Sequence, residues 1–288
     1  MKIQLTPSSK IGIVGLGLIG GSLGLSLQKL GFEVHGVTHK QISADRAQER
    51  GLANLISTDL NILKDCKVIF IALPLEKLLS PDQDLIKALP VNAVITDVGS
   101  VKAPVLKVWQ NLHPYFVPSH PMAGTNNSGV EAGTASLFHN KLWVSTPNAT
   151  TNHEALEIVK NIAISLGCKW ITADAMSHDQ AVALISHLPV LVSAALISTA
   201  SNQGEEFILS LCKSLASSGF EDTSRVGGGN PELGMSMVKH NYSAVINSLN
   251  SYQKVLNKFQ DLILSKEWES LHEELKKTNI QRPDFINH

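Results

Sequence analysis

No feature of this chain narrows its possible folds more than residues 10–30, KIGIVGLGLIGGSLGLSLQKL. An apolar run at 11–14 stops at Gly15, and glycines recur at Gly17 and Gly20. Leu23, Leu27 and Leu30 then share one face of a helix that Gly31 closes. Strand, tight turn and helix in that order give each glycine a task. Gly15 permits the sharp turn, Gly17 lets backbone approach an anion, and Gly20 lets helix and strand pack closely. The free N–H groups of Leu18, Ile19 and Gly20, with the positive end of the helix dipole, would face a pyrophosphate. Because nothing between Lys10 and Lys29 is charged, a signal segment or a glycine-rich membrane helix would read similarly, with Gly17/Gly21 and Gly20/Gly24 as small-xxx-small pairs. The polar and mixed residues ahead of the run, and a second strand at 33–37, favour a β-α-β unit that binds a dinucleotide.

The end of that second strand selects the dinucleotide. An NAD site places Asp or Glu about 20 residues past the glycines to hold the ribose 2′-hydroxyl. Here stand Thr38, His39 and Lys40. A carboxylate would repel a 2′-phosphate, whereas a hydroxyl and a cation accept one, so NADP is expected rather than NAD, unless the three are simply surface loop residues. A helix is expected at 43–50. The nearly continuous apolar run 67–74 suits a strand buried on both faces of a parallel sheet. It delivers Leu73 and Pro74 to the edge where ligands gather beyond the strand ends. A helix at 76–89 and a strand at 93–97 follow, the latter leading to Ser100 and Lys102, placed to meet a substrate. Ser100 could equally cap the next helix. A strand at 115–118 delivers 119–124, SHPMAG, ahead of a polar loop at 125–133 that carries Glu131. A strand at 143–146, a helix at 154–166 and a strand at 169–172 complete this region.

From Ala173 no strand pattern remains, and 179–201, 205–216, 231–250 and 252–278 all read as helices. The expected architecture is therefore α/β: a Rossmann-type, doubly wound, mostly parallel sheet at residues 1–173, then an all-α region at 174–288. The helical region is interrupted at 218–229, where three successive glycines form either a second phosphate cradle or a loop that presents Arg225. His178 and His187 are nine residues apart, on opposite faces of a straight helix. Both cannot face one site unless the helix is broken, and His187 is chosen because Pro189 disturbs the helix beside it. It could instead be a satisfied core histidine. No histidine pair has zincin spacing, so no metal is expected. A formal net charge of −1 without a basic run argues against nucleic acid. Cys66, Cys168 and Cys212 have no CxxC spacing and suit a reducing cytoplasm. Beyond the first helix nothing reads as a membrane span.

Together, the Gly15–Gly20 turn, Asp97-Val-Gly-Ser100-Val-Lys102, His120-Pro-Met-Ala-Gly124, Ile185-Ser-His187-Leu-Pro189 and Ser218-Gly-Phe220…Thr223-Ser-Arg225 resemble the prephenate/arogenate dehydrogenases of tyrosine biosynthesis. The likeness runs over about 11–278, and the wording at 227–234 looks most like the cyanobacterial arogenate enzymes. The resemblance implies an oxidative decarboxylation: hydride leaves the ring carbon bearing the hydroxyl for a nicotinamide, CO₂ departs, and the ring becomes aromatic. It implies that His120 takes the hydroxyl proton, that Ser100 orients it, that Arg225 binds a substrate carboxylate, and that His187 helps hold the substrate. Glu131 is a candidate partner for the amine that distinguishes arogenate from prephenate. The resemblance also implies a homodimer built through the helical region. No mutase or regulatory domain is recognised in the sequence, so feedback by tyrosine is expected at the substrate site if at all. A β-hydroxyacid dehydrogenase would need a lysine that the first helix of the helical region lacks. A non-catalytic NADP sensor would leave His120 and Arg225 dispensable.

Overall fold

The computed structural model describes residues 5–286 apart from 7, 126 and 203, so the expected loop at 125–133 is described except at its second position. Six strands, β1 (Lys10–Val14), β2 (Glu33–Val37), β3 (Leu55–Ser57), β4 (Val68–Ile71), β5 (Val94–Asp97) and β6 (Phe116–Val117), form a wholly parallel sheet in the order β3-β2-β1-β4-β5-β6. The order reverses direction between β1 and β4, which opens a crevice beyond their C-terminal ends. Alternation along β4 makes the sheet doubly wound. Val68 and Phe70 join Ile11, Ile13, Leu23 and Leu27 on one face, whereas Ile69 and Ile71 join Ile95, Val105 and Trp109 on the other.

The connecting helices are α1 (Leu18–Lys29), α2 (Gln41–Glu49), α3 (Leu75–Leu79), α4 (Gln83–Ala88), α5 (Ala103–Trp109) and α6 (His153–Ser165). The single helix expected at 76–89 is two, because Pro81 lacks the N–H a continuous helix needs. Strand β3 and a 3₁₀ turn at Leu60–Leu63 had no clear sequence signal.

Residues after β6 leave the parallel sheet. Strands β7 (Ser119–Pro121), β8 (Leu142–Ser145) and β9 (Lys169–Thr172) form a second sheet in that order, with β7 antiparallel and β9 parallel to β8. His120, expected in a loop, therefore lies on a strand, opposite Val144.

Helices α7 (Ala175–Val182), α8 (Leu188–Ser201), α9 (Glu206–Leu215), α10 (Ser218–Ser224) and α11 (Pro231–His240) follow, with a π-helical turn at Ala183–His187 between α7 and α8. The expected loop at 218–229 is helical in its first half. Its glycines then pack tightly: a Cβ on Gly227 would stand 2.4 Å from the Ala194 nitrogen, and the Gly227 N–H donates to Ser193 Oγ at 2.8 Å. Contrary to the sequence expectation, Ala175–Ser201 is long and apolar enough to cross a membrane by length and composition, with 28% of its most apolar window buried. Its buried face carries polar groups that are hydrogen-bonded to the sheet region. Two compact units result, Met1–Asn241 and Tyr242–His288. The first extends past residue 173 because α7 is fastened to α5 and β7 by the polar contacts described below. The second is a helical hairpin of α12 (Tyr242–Leu264) and α13 (Trp268–Ile286), in which Lys258 Nζ meets Glu274 Oε2 at 2.8 Å.

Candidate active site

The turn after β1 is built for close approach. Gly15 has φ +94°, and a Cβ there would stand 2.4 Å from the Ala72 carbonyl oxygen. A Cβ on Gly20 would lie 1.8 Å from the Gly15 carbonyl oxygen. At Gly17, the N-cap of α1, a Cβ would instead enter space with no atom within 4 Å. That opening, together with the amides of Leu18, Ile19 and Gly20 that have no acceptor within the helix, fits a bound pyrophosphate. Thr38 is buried at the end of β2, with Oγ1 donating to the Lys40 carbonyl at 3.2 Å, while His39 and Lys40 are exposed. Leu73 and Pro74 follow β4, Pro74 serving as the N-cap of α3.

One strand further along, the buried Asp97 at the end of β5 organises the second sheet. Its carboxylate accepts the N–H groups of Gly99 at 2.9 Å and Ser119 at 3.1 Å, and it pairs with Lys102 Nζ. Ser119 Oγ donates to the Asp97 carbonyl at 2.8 Å. Lys102 Nζ also donates to the Ser119 carbonyl at 2.7 Å, and the lysine is 0% exposed. Burial pushes its ammonium below the usual lysine range, with Asp97 pulling the other way. The substrate contact expected of Lys102 is thus corrected. Its charge holds β7 in place behind the neighbouring His120.

His120 is half-buried, and its Nδ1 lies 3.0 Å from Nε2 of His178, which is 4% exposed. His178 is the neighbour of His120 that the sequence reading set aside in favour of His187. The straight-helix premise fails at Ala183–His187, where wider π turns change the phase between positions 178 and 187. Both imidazoles consequently act on His120, whose pKa is held well below the ordinary histidine value, first by burial and then by His178, Lys102 and His187. It is neutral at pH 7 and able to take a proton. His187, 1% exposed, is pushed down to about 4, chiefly by burial. Asn241 Nδ2 donates to the Asp179 carbonyl at 2.7 Å and approaches His187 Nδ1 at 3.3 Å, so Nδ1 of the neutral ring is the acceptor. Nε2 then carries the hydrogen, and this buried group has no partner among the described residues. An acceptor oxygen on a ligand would complete it.

Other expected residues stand differently. Ser100 is half-buried in the turn before α5, with no hydrogen bond from its side chain among the described residues. It does not cap α5, which starts at Ala103. The acceptor there is the Asp179 carboxylate, reaching the N–H groups of Lys102 at 2.7 Å and Ala103 at 2.9 Å. Arg225 ends α10, is exposed, and has no ion pair among the described residues. Glu131 lies in a 3₁₀ turn, Val130–Ala132, and is held by α2: Arg46 Nη2 donates to it at 3.1 Å, Arg46 Nε donates as well, and Arg50 Nε is 3.8 Å away. Hydrogen bonding to Arg46 lowers its pKa. The Glu131 carboxylate is paired with Arg46 and Arg50 and makes no hydrogen bond to the imidazole cluster. No group of three or more His, Cys, Asp or Glu among the described residues is placed to hold a metal ion.

A doubly wound sheet whose glycine turn fits a dinucleotide, with a neutral, buried-backed imidazole on an adjoining strand, defines a nicotinamide-dependent dehydrogenase. Residues 23–172 match the family model of the prephenate dehydrogenase nucleotide-binding domain, and 174–277 match that of the prephenate dehydrogenase dimerization domain. Synechocystis arogenate dehydrogenase is 41% identical, with a TM-score of 0.82 over 96% of this chain and 100% of that one. Prephenate dehydrogenase from Aquifex aeolicus, solved with hydroxyphenyl propionate and NAD⁺, is 27% identical, with a TM-score of 0.90 over 98% and 99% of the two chains. Cyclohexadienyl dehydrogenase of Zymomonas mobilis is 29% identical over 283 residues, 96% of each chain. The chain belongs to the prephenate dehydrogenase family, the dehydrogenases of tyrosine biosynthesis.

Proposed function

We propose that this chain oxidises arogenate to tyrosine and CO₂ with NADP as acceptor, in the cytoplasm and as a homodimer, with residues 1–173 as its nucleotide-binding half and 174–288 as its helical half. The observation that carries the reading is the end of β2. Thr38, His39 and Lys40 stand where a carboxylate would exclude a 2′-phosphate, and two of the three are exposed there. The 41% identity to an arogenate dehydrogenase over nearly the whole chain supports the substrate.

When bound, the nicotinamide supplies the hydride acceptor. The amides of Leu18, Ile19 and Gly20 hold its pyrophosphate, with Gly15, Gly17, Leu73 and Pro74 shaping the crevice. His120 takes the proton of the ring hydroxyl, a task for a neutral imidazole. Ser100, with its hydroxyl uncommitted, orients that group. Arg225 binds a substrate carboxylate with its planar fork, and the unpartnered Nε2–H of His187 donates to a substrate oxygen. Aromatisation provides the driving force, so the protein's work is placement and one proton transfer.

Prephenate is the second reading, favoured by the engagement of Glu131 with Arg46 and Arg50, which removes the expected partner of the arogenate amine. A steady-state assay with arogenate or prephenate, each with NAD or NADP, separates the two. Turnover with arogenate and NADP alone is expected. Equal or better turnover with prephenate overturns the substrate, and equal use of NAD overturns the reading of Thr38–Lys40.

A further inference from the structure

The Asp179 carboxylate sits at a junction that neither cofactor nor substrate explains. Oδ1 accepts the N–H of Lys102 at 2.7 Å and faces His178 Nδ1 at 2.8 Å, and Oδ2 accepts the N–H of Ala103 at 2.9 Å. It is 4% exposed. A carboxylate receiving two backbone amides is an acceptor towards every neighbour, so His178 Nδ1 must carry a hydrogen. In neutral His178 the lone pair is then on Nε2, and the next atom along is His120 Nδ1, 3.0 Å away. Two lone pairs cannot face each other at that distance, so His120 Nδ1 must be the donor. Its own lone pair is thereby left on Nε2.

We propose that Asp179 is a positioning residue that fixes the tautomers of two successive imidazoles, making Nε2 the basic atom of His120, while the same oxygens close the N-terminus of α5. One carboxylate thus ties the orientation of the base to the helix that follows Ser100 and Lys102. Asparagine cannot replace it. It has one oxygen for three donors, and its amide presents hydrogens either to a backbone N–H or to His178 Nδ1. In the second arrangement His178 Nδ1 becomes the acceptor, Nε2–H donates to His120 Nδ1, and His120 Nε2 takes up the hydrogen. The base is then capped at the atom that must receive the proton.

The consequence for turnover rests on His120 being the base proposed above, but the tautomers do not. The first test is therefore spectroscopic, on the full chain labelled with ¹⁵N-histidine at neutral pH without substrate. Long-range ¹H–¹⁵N correlations are expected to show His120 with a protonated Nδ1 and a bare Nε2, and Asp179→Asn is expected to reverse or mix them. A wild-type His120 protonated at Nε2, or an unchanged His120 in the variant, overturns the proposal. Should Asp179→Asn fail to fold, His178→Phe leaves the α5 cap in place and is expected to release His120 from the enforced Nδ1–H form; persistence of that form overturns the proposal equally. Kinetically, Asp179→Asn should lose on the order of 10²-fold in kcat with KM for nucleotide unmoved. In the Asp179→Asn, His178→Phe pair the losses should not add, because the carboxylate acts through His178. Additive losses would make Asp179 a helix cap and nothing more.

Discussion

His120 is neutral for physical reasons that can be tested residue by residue. His120→Asn removes the proton acceptor while keeping polarity and approximate volume, so kcat should fall on the order of 10²–10⁴-fold, measured by absorbance of reduced nicotinamide. The deeper burial of His187 links it to acid stability. Its pKa is about 4 in the folded chain and about 6.5 when unfolded, so the unfolded state binds more protons between those values. Stability is complete above about pH 6.5 and declines as pH falls toward 4, by up to roughly 3 kcal/mol from this group alone. Thermal melts of His187→Asn against the parent should show a flatter slope across that window, and parallel slopes would contradict it. The residues whose geometry the sequence made legible are those with a local role, such as Gly15 and Gly20 in the turn after β1. The partners of Lys102 and Glu131 were not legible because they are buried or remote: Asp97 across a turn for one, and Arg46, 85 positions away, for the other.

At the level of elements, the glycine turn and the β5–β7 junction make separate predictions. Gly20→Ala places a methyl group against the Gly15 carbonyl, where no side chain can yield. Nucleotide binding, followed by quenching of intrinsic fluorescence, should be lost. Lys102→Met would leave Asp97 buried without its cation at the root of β7, a change expected to cost about 3–5 kcal/mol in denaturant unfolding. A merely exposed substrate lysine would barely register. The parallel strands could be read directly because burial on both faces writes continuous apolar runs. In the second sheet β8 and β9 were also legible, whereas β7 was not, since its three residues are too few for a period to show. The π turn itself did not show in ALISH, whose composition does not distinguish it from α-helix, and only Pro189 just beyond marked the helix as disturbed there.

The whole molecule displays apolar side chains that a lone chain would leave wet. Leu196, Phe207, Leu211 and Leu215 on α8 and α9 are all exposed, in the region matching a dimerization domain. Their burial in a symmetric contact would give a reason for the apolar character of Ala175–Ser201. Sedimentation should therefore give twice the mass of one chain, and Phe207→Glu with Leu211→Glu should halve it. A variant that stays at the parent mass would place the contact elsewhere. The division into sheet and helices could be read from the loss of strand pattern after Ala173. That the early helices join the sheet's own compact unit could not, because their fastening is a handful of polar atoms around Asp179.

The π turn also bears on how the gene can change in length. Nine positions separate His178 from His187, and the wide turn absorbs one more residue than an α-helix would hold there. Deleting a residue within that turn would leave an ordinary helix with the imidazoles eight apart, about 80° around the axis, so the pair would still converge. Inserting one would have no such escape. This stretch should accept the loss of a codon more readily than the gain of one, the reverse of what surface loops allow.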